Sequence, residues 1–228
     1  MKYPYLLFDA DDTLFDFPRS SARAFSIMCR LHNIPDTPEV FQLYFQINQD
    51  LWDAFDRGEV TKEFISLERY VRFLRMIGSS EDPVQCDADY SQALGECVFP
   101  LPHAEEVCQA LWDQGHQLYI ITNATASVQR SRLKNSVFSR FITDTFISED
   151  AGAAKPSIAY YEYVRRRLPD LTAENGLVIG DSLTTDILGA NNAGLPCCWF
   201  NPSKKARPSG LRINYEIADL RQLLEIVS

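Results

Sequence analysis

Short apolar runs separated by helical segments are the feature that most constrains how this chain can fold. The run at residues 3–8 ends directly in acidic residues, which is typical of a strand buried on both faces of a parallel sheet. The same pattern recurs at residues 117–121, 145–147, 177–179 and 196–200, with a weaker run at 215–217. The sequence therefore predicts an α/β fold: a doubly wound, Rossmann-like parallel sheet with helices on both faces.

Residues 17–98 interrupt this alternation, because they show helical periodicity but no strand pattern. Amphipathic helices are expected at residues 19–31, 39–55, 61–77 and 90–97, with turn-forming residues between them. We expect an inserted all-helical cap domain over residues 17–98. The α/β core then consists of residues 1–16 and 99–228, and a chain of 228 residues is long enough to build both.

Charge and composition narrow the range of partners. The 22 Lys and Arg residues against 31 Asp and Glu give a net charge of −9, which argues against nucleic-acid polymers and anionic membranes as partners. No apolar run approaches the roughly 20 residues that span a bilayer, and the first residues turn acidic before a signal peptide could form. The six cysteines form no metal or disulfide pattern, so we expect reduced thiols in the cytoplasm. A monomer or small homo-oligomer is expected.

Polar side chains follow four of the predicted strands, at the point where each strand ends. In a doubly wound sheet, ligands bind outside the carboxyl ends of the strands, so these side chains should converge. The converging residues are Asp9, Asp11, Asp12 and Thr13 after the first strand, Thr122 and Asn123 after the second, Lys155 beyond the third, and Asp181 and Asp186 after the fourth. A single acidic loop would be read as a solvated turn, but an ordered set at four strand ends indicates a functional site.

The chemistry of this set requires a cation. Asp9, Asp11 and Asp181 repel one another in a shared cleft unless a positive charge neutralises them. Oxygen ligands without histidine or thiolate favour Mg²⁺, with Mn²⁺ as the alternative. The hydroxyls of Thr13 and Thr122 and the ammonium of Lys155 are then available as donors to an anion. The pattern predicts a phosphoryl-transfer site with a small phosphorylated metabolite as its ligand.

The motifs resemble those of the haloacid dehalogenase (HAD) superfamily. Asp9-Ala-Asp11-Asp12-Thr13 is similar to its DxDxT motif, Thr122 and Lys155 to its second and third motifs, and the stretch from Gly180 to Asp186 to its fourth. The insertion point of the helical module is similar to that of the superfamily's C1 cap. Residues 51–62, residues 148–152 together with 155–156, and residues 180–187 further resemble the pyrimidine 5′-nucleotidase subfamily.

The resemblance implies a role for each carboxylate. Asp9 would attack phosphorus and form an aspartyl-phosphate. Asp11 would protonate the leaving oxygen and then deprotonate the hydrolytic water. Mg²⁺ would be held by Asp9, the backbone carbonyl of Asp11 and Asp181, with Asp186 as an orienting or water-mediated ligand.

The resemblance also implies how the phosphate is held. Thr122 and the backbone amide of Asn123 would bind phosphate oxygens, and the Thr13 hydroxyl is expected as a further donor to the phosphate from its position in the set. Lys155 would bridge Asp9 and the phosphoryl group, both as a binding and as a catalytic residue.

Several functions stay open at this level. The resemblance implies a Mg²⁺-dependent phosphomonoester hydrolase, a 5′-nucleotidase acting on nucleoside monophosphates. The alternatives are a phosphatase or phosphomutase acting on a sugar phosphate or other small metabolite, and a HAD-fold binding or regulatory protein without activity.

Dehalogenation is disfavoured by Asp11, since a halide leaves without a proton. Phosphonate hydrolysis is disfavoured because Lys62, the only lysine in the predicted cap, has no recognisable context. A phosphorylatable-aspartate signalling domain would be about half as long and would lack the cap.

Overall fold

Six parallel strands form one sheet in the structure, a computed structural model that describes residues 1–228. The strands are β1 (Tyr5–Phe8), β2 (Gln117–Thr122), β3 (Ile142–Ile147), β4 (Gly176–Gly180), β5 (Cys197–Phe200) and β6 (Tyr215–Ile217). Their order across the sheet is β3-β2-β1-β4-β5-β6, and every neighbouring pair is parallel. The predicted fold class is confirmed, including the weak last strand.

The strand order positions the site. The chain runs outward from β1 in one direction through β2 and β3, and in the other through β4, β5 and β6. The order therefore reverses at β1, and ligands bind at such a switch point. Asp9 follows β1 directly, and its N–H donates to the carbonyl of Ile179 at 2.8 Å, which continues the pairing with β4 by one residue.

The sheet lies in the apolar core of the α/β unit. Leu6, Leu7 and Phe8 are completely buried, as expected for a strand covered on both faces. Leu7 packs in one cluster with Tyr119 and Val178 of the neighbouring strands and with Tyr160 of a covering helix. The helices of this unit are α5 (Ala104–Asp113), α6 (Ala126–Lys134), α7 (Ser148–Ala151), α8 (Ile158–Arg167), α9 (Leu188–Asn192) and α10 (Leu223–Val227), together with short 3₁₀ turns at Val137–Arg140 and Leu220–Gln222.

The helical segment contains α1 (Phe17–Leu31), α2 (Pro38–Asp56), α3 (Lys62–Met76) and α4 (Pro83–Glu96). Helix α4 begins seven residues before the predicted start at residue 90. Asp82 accounts for the difference, because its carboxylate accepts from the Val84 N–H at 2.9 Å and caps the helix, while Pro83 occupies the first turn. The sequence pattern predicts only turn-forming residues in this segment.

The helical segment has an apolar core of its own. Phe25 stacks on Tyr44 with ring centroids 4.7 Å apart, and Tyr44 meets Phe73 edge-on at 5.7 Å. All three side chains are completely buried. Residues contact one another within two compact units, Met1–Phe17 with Phe99–Ser228, and Pro18–Val98. None of the helices combines the length and the apolar character that crossing a membrane requires.

Candidate active site

Lys155 lies at the centre of a buried charge cluster. Its Nζ donates to Oδ1 of Asp9 at 2.6 Å, to Oδ1 of Asp186 at 2.7 Å and to the carbonyl oxygen of Ile121 at 3.0 Å. The side chain is only 2 % exposed. Three donors on one ammonium are thus matched by three acceptors, so Lys155 is fixed in place and is not a surface lysine.

The turn after β4 presents two carboxylates to this cluster. Ser182 begins a single π-helical turn at Leu183–Ile187, and its Oγ accepts from the Thr185 N–H. Such turns often occur at functional sites. Asp186 sits inside this turn, and its Oδ2 accepts from the Ser182 N–H at 3.1 Å. The two oxygens of Asp186 are therefore both occupied, one by Lys155 and one by the backbone.

Asp181 is held by its backbone, and its carboxylate is left more open. The indole N–H of Trp199 on β5 donates to the Asp181 carbonyl at 2.9 Å. The side-chain hydroxyl of Thr13, which is completely buried, lies 3.4 Å from Asp181 Oδ1. Phosphate binding by Thr13 stays a prediction; in the structure its hydroxyl faces the Asp181 carboxylate.

The cluster holds more negative charge than Lys155 offsets. Burial raises the pKa of Asp181 to about 7, with the charges of Asp186 and Asp12 adding to the effect. Burial also raises the pKa of Asp9, against the lowering effect of Lys155. For Lys155, burial lowers the pKa but Asp186 and Asp9 outweigh it and hold the pKa above its usual value, so the amine stays protonated. A further cation would relieve the repulsion.

The carboxylates fit a divalent cation. One oxygen from each of Asp9, Asp181 and Asp186 can be chosen so that all lie within 4.8 Å of one another. Ligand oxygens around one Mg²⁺ lie about 3–4 Å apart, given metal–oxygen distances of about 2.1 Å, so a small contraction suffices. The backbone carbonyl of Asp11 is also free, because the hydrogen bonds of its turn are made by Ala10 and Phe15. The donor set is all oxygen, which suits Mg²⁺ or Mn²⁺.

The end of β2 supplies hydrogen-bond donors. The Oγ1 of Thr122 accepts from the Ala124 N–H at 3.1 Å, which leaves the hydroxyl proton of Thr122 to donate elsewhere. The Thr122 N–H donates to the Tyr160 hydroxyl at 3.1 Å, and that hydroxyl donates to the carbonyl of Phe146 at 2.7 Å. Tyr160, which sequence reasoning missed, thereby fixes the end of β2 against α8.

The side chain of Asn123 fixes the backbone of Lys155. Its Oδ1 accepts from the Lys155 N–H at 2.9 Å, and its Nδ2 donates to the Lys155 carbonyl at 3.0 Å. No hydrogen bond within the chain uses the backbone N–H of Asn123. Phosphate binding by that amide stays a prediction, and the reciprocal pair of hydrogen bonds ties the end of β2 to the backbone of Lys155.

Asp11 does not belong to the group of close carboxylates formed by Asp9, Asp181 and Asp186. Its side chain makes one hydrogen bond, in which Nη1 of Arg132 on α6 donates to Oδ1. Arg132 is 1 % exposed. Sequence reasoning missed this residue, because the pair joins positions 121 residues apart and Arg132 stands among other polar residues of α6.

A cavity opens beside Asp181. Its volume is about 260 Å³, and its lining includes Asp12, Asp181, Trp199, Ser203 and Lys205. Burial and the neighbouring charge of Asp11 raise the pKa of Asp12 to about 6. The cavity places open space next to the cluster of carboxylates.

Comparisons with known proteins show which chains this one is similar to. YfnB of Bacillus subtilis, which is named as a HAD hydrolase, is 37 % identical over 227 residues, covering 100 % of this chain and 96 % of YfnB. The crystal structure of YfnB with bound magnesium superposes with a TM-score of 0.92 at 37 % identity and covers 100 % of both chains. That structure is described as revealing interdomain movement in YfnB.

Two further relatives are named as pyrimidine 5′-nucleotidases. PynA of Streptococcus pneumoniae is 29 % identical over 225 residues, covering 99 % of this chain and 95 % of PynA. YjjG of Escherichia coli is 28 % identical over 227 residues, covering 100 % of this chain and 99 % of YjjG. The family model for haloacid dehalogenase-like hydrolases matches residues 3–194. The chain therefore belongs to the haloacid dehalogenase-like hydrolases.

Proposed function

We propose that this hydrolase removes phosphate from a small phosphomonoester through an aspartyl-phosphate on Asp9. The observation that carries the proposal is the cluster around Lys155, in which one buried ammonium contacts both Asp9 and Asp186 at the central strand ends. A nucleophilic carboxylate beside a fixed cation is the arrangement that transfer of a phosphoryl group requires.

The residues of the chain would carry out two displacement steps. An oxygen of Asp9 attacks phosphorus and forms the P–O bond of an aspartyl-phosphate, while the bond to the ester oxygen breaks and Asp11 gives that oxygen a proton. A water molecule then attacks phosphorus, Asp11 takes its proton, and the carboxylate of Asp9 is restored as inorganic phosphate leaves. Lys155 offsets the negative charge that gathers on the phosphoryl oxygens in both steps.

Asp9, the backbone carbonyl of Asp11 and Asp181 would hold the metal. Asp186 would orient Lys155 and the turn after β4, because both of its oxygens are already hydrogen-bonded. When bound, Mg²⁺ would bring Asp9 and the phosphate together against their mutual repulsion. Thr13 would orient Asp181 rather than contact phosphate.

The phosphate oxygens would be held by the end of β2. The Thr122 hydroxyl has a proton to donate, and the backbone N–H of Asn123 has no partner within the chain. Lys155 would supply the third donor.

We propose nucleoside 5′-monophosphates with pyrimidine bases as the substrate class. Support comes from PynA and YjjG, which are named pyrimidine 5′-nucleotidases and match this chain almost end to end. We place the activity in the cytoplasm, since all six cysteines are free, several of them deeply buried.

The experiment measures inorganic phosphate released from a panel of phosphate esters, with Mg²⁺ and with EDTA. The panel contains UMP, CMP, dUMP and AMP, several sugar phosphates and 4-nitrophenyl phosphate. Halide release from a 2-haloacid is measured separately as the dehalogenase control. We expect Mg²⁺-dependent release that is highest for pyrimidine nucleotides and absent in the Asp9→Asn variant. Absence of release by folded protein across the whole panel would overturn the proposal. A preference for a sugar phosphate would overturn the substrate class alone, and transfer of phosphate within a sugar without release would indicate a mutase.

A further inference from the structure

Arg132 is a buried cation that the reaction described above does not use. It lies on α6, and its guanidinium contacts residues from the turn after β1 and from its own helix. Nη1 donates to Oδ1 of Asp11 and, at 3.3 Å, to Oε1 of Gln129. The guanidinium carbon lies 4.7 Å from the centroid of the Phe15 ring. The other two guanidinium nitrogens, Nε and Nη2, are buried without a hydrogen-bond partner.

This environment is unfavourable for an arginine that serves packing alone. Two unpaired N–H-bearing nitrogens in a buried site cost free energy, and such exceptions often mark functional positions. The amide nitrogen of Gln129 is also buried and unpartnered. Gln129 therefore uses its side-chain oxygen to accept from Arg132, while its side-chain nitrogen makes no hydrogen bond.

The contacts of Arg132 hold the guanidinium in one orientation. Phe15 is completely buried and offers a flat ring for the planar group to stack on, which an ammonium could not exploit equally. Phe15 itself is fixed by an edge-on contact with Phe138 at 5.2 Å. Gln129 then holds Nη1 from the side of the helix. The guanidinium of Arg132 is thus fixed in its orientation toward the group that accepts its hydrogen bond.

What Arg132 binds is one oxygen of the residue proposed as acid and base. Asp11 uses Oδ1 for Arg132, and Oδ2 has no hydrogen bond within the chain. The Asp11 side chain is 28 % exposed, so it can be reached from solvent. A carboxylate anchored through one oxygen presents the other in a defined direction, which a proton transfer to a leaving group requires.

We propose that Arg132 is the positioning residue for Asp11: it anchors Oδ1 so that Oδ2 exchanges the proton with the ester oxygen and then with water. This inference rests on the proposed function, since it assigns to Arg132 a task within that reaction. It also divides the cations of the site between two tasks, because Lys155 serves Asp9 and Asp186 while Arg132 serves Asp11.

The experiment compares substrates that differ in their need for a proton. The leaving oxygen of a nucleoside 5′-monophosphate needs one, whereas 4-nitrophenolate leaves without one. Loss of positioning should therefore lower the first-turnover rate for the nucleotide by about 10²-fold, within the range that general acid catalysis contributes. The first-turnover release of 4-nitrophenolate should change by less than about threefold, and a burst should appear because the second, base-assisted step is slowed.

The variants are Arg132→Met, which removes the charge at similar length, and Arg132→Lys, which keeps one donor. With the nucleotide substrate, Arg132→Lys should be faster than Arg132→Met and slower than the wild type. If Arg132→Met does not fold, Arg132→Lys is compared with the wild type in its place. Arg130→Met is the matched control on the same helix, because Arg130 is exposed and pairs with Asp150. It should leave both substrates unaffected.

A double variant separates positioning from a structural role. In the Asp11→Asn background, where there is no acid to position, Arg132→Met should change the rate by less than about twofold. An undiminished effect in that background, or an equal loss for both substrates in the first turnover, would overturn the inference. Unchanged rates in Arg132→Met with an active wild type would also overturn it. An inactive wild type would instead overturn the proposed function.

Discussion

At the scale of single residues, the site contains more buried carboxylates than positively charged side chains in contact with them. Asp9 and Asp186 share one ammonium, and Asp181 has no cation in hydrogen-bonding contact. Asp181 accordingly has its pKa raised to about 7 by burial, with Asp186 and Asp12 contributing. The residue is thus held in a state that favours binding of either a proton or a metal ion.

The raised pKa of Asp181 gives a prediction for stability. The ordinary pKa of the carboxyl is 3.8, so the folded state favours the protonated form of Asp181. The stability that this preference contributes is complete below about pH 4 and is lost as the pH rises through about 7. The Asp181→Asn side chain cannot ionise, so the variant lacks the destabilising buried charge. In EDTA at pH 8 it should melt above the wild type, by about 2–4 °C for each kcal/mol of destabilisation that is removed. The difference should shrink as the pH falls from about 7 toward 4.

Thermal denaturation with and without Mg²⁺ provides the check. Mg²⁺ should stabilise the wild type increasingly as the pH rises through about 7, because the metal competes with the proton for Asp181. The Asp181→Asn protein should gain much less. Equal Mg²⁺ stabilisation of both proteins would contradict the assignment of Asp181 as a ligand.

At the scale of elements, the turn after β4 depends on the absence of a side chain at Gly180. A Cβ at this position would lie 2.3 Å from Oδ2 of Asp186 and 2.4 Å from its Cγ. Asp186 cannot move aside easily, because Lys155 and the Ser182 N–H hold its two oxygens. The close approach of strand and turn therefore requires glycine.

Gly180→Ala should lower kcat by about 10²-fold, as expected when a catalytic group is displaced by about 1 Å. Gly176→Ala is the matched control at the other end of β4. Its Cβ would meet chiefly the flexible tip of Leu171, so it should cost some stability but keep kcat within about twofold of the wild type. Steady-state kinetics on both variants make the comparison. Equal kcat values for the two variants would show that the fit at Gly180 does not position Asp186.

In the helical unit, His32 links the end of α1 to α4 and the segment before it. Its Nδ1 lies 2.9 Å from Oε2 of Glu81, and its Nε2 lies 2.8 Å from Oδ2 of Asp89. Burial lowers the pKa of His32, but the hydrogen bonds to the two carboxylates outweigh it and raise the pKa above 6.5. The charged form therefore stabilises the unit.

The sign of this shift predicts weaker helical packing in alkaline solution. The stabilisation is complete below about pH 6.5 and is lost as the pH rises through the raised pKa of the folded state. Hydrogen-exchange protection in α1 and α4 should fall as the pH rises above about 6.5, after correction for the intrinsic exchange rate. His32→Gln should lower the unfolding free energy by about 1–3 kcal/mol at pH 6 and remove this pH dependence. The same pH dependence in His32→Gln as in the wild type would exclude the mechanism, and His103→Gln in the α/β unit is the control.

The elements also show what the sequence could predict. The strands were predictable because buried parallel strands are continuous apolar runs, and the strand-end residues because the carboxyl ends of such strands meet at one edge. The contacts of Arg132, Tyr160 and Trp199 were not predictable. Each depends on a partner far along the chain or on another element, and local periodicity contains no information about such pairs. The periodicity predicts a start for α4 that is too late, because the Asp82–Pro83 cap is a local signal that lies ahead of the apolar pattern.

At the scale of the whole molecule, an acidic protein is proposed to bind an anionic substrate. The net charge of −9 includes the carboxylates of Asp9, Asp11, Asp181 and Asp186, so part of the excess serves one site. Buried carboxylates attract a divalent cation, and that cation together with Lys155 reverses the local potential. The overall charge thus disfavours nucleic-acid polymers without excluding a single phosphate group.

The central claim is that Asp9 carries the phosphoryl group during the reaction. The most direct measurement uses the Asp11→Asn variant, in which hydrolysis of the intermediate is slowed, and a 4-nitrophenyl phosphate substrate labelled in its phosphate. After acid quenching within the first turnover, we expect hydroxylamine-sensitive label on the peptide that contains Asp9, approaching one phosphate per chain, and none in Asp9→Asn. Turnover of substrate by Asp9→Asn at the wild-type rate, or stable label on a different peptide, would contradict the account.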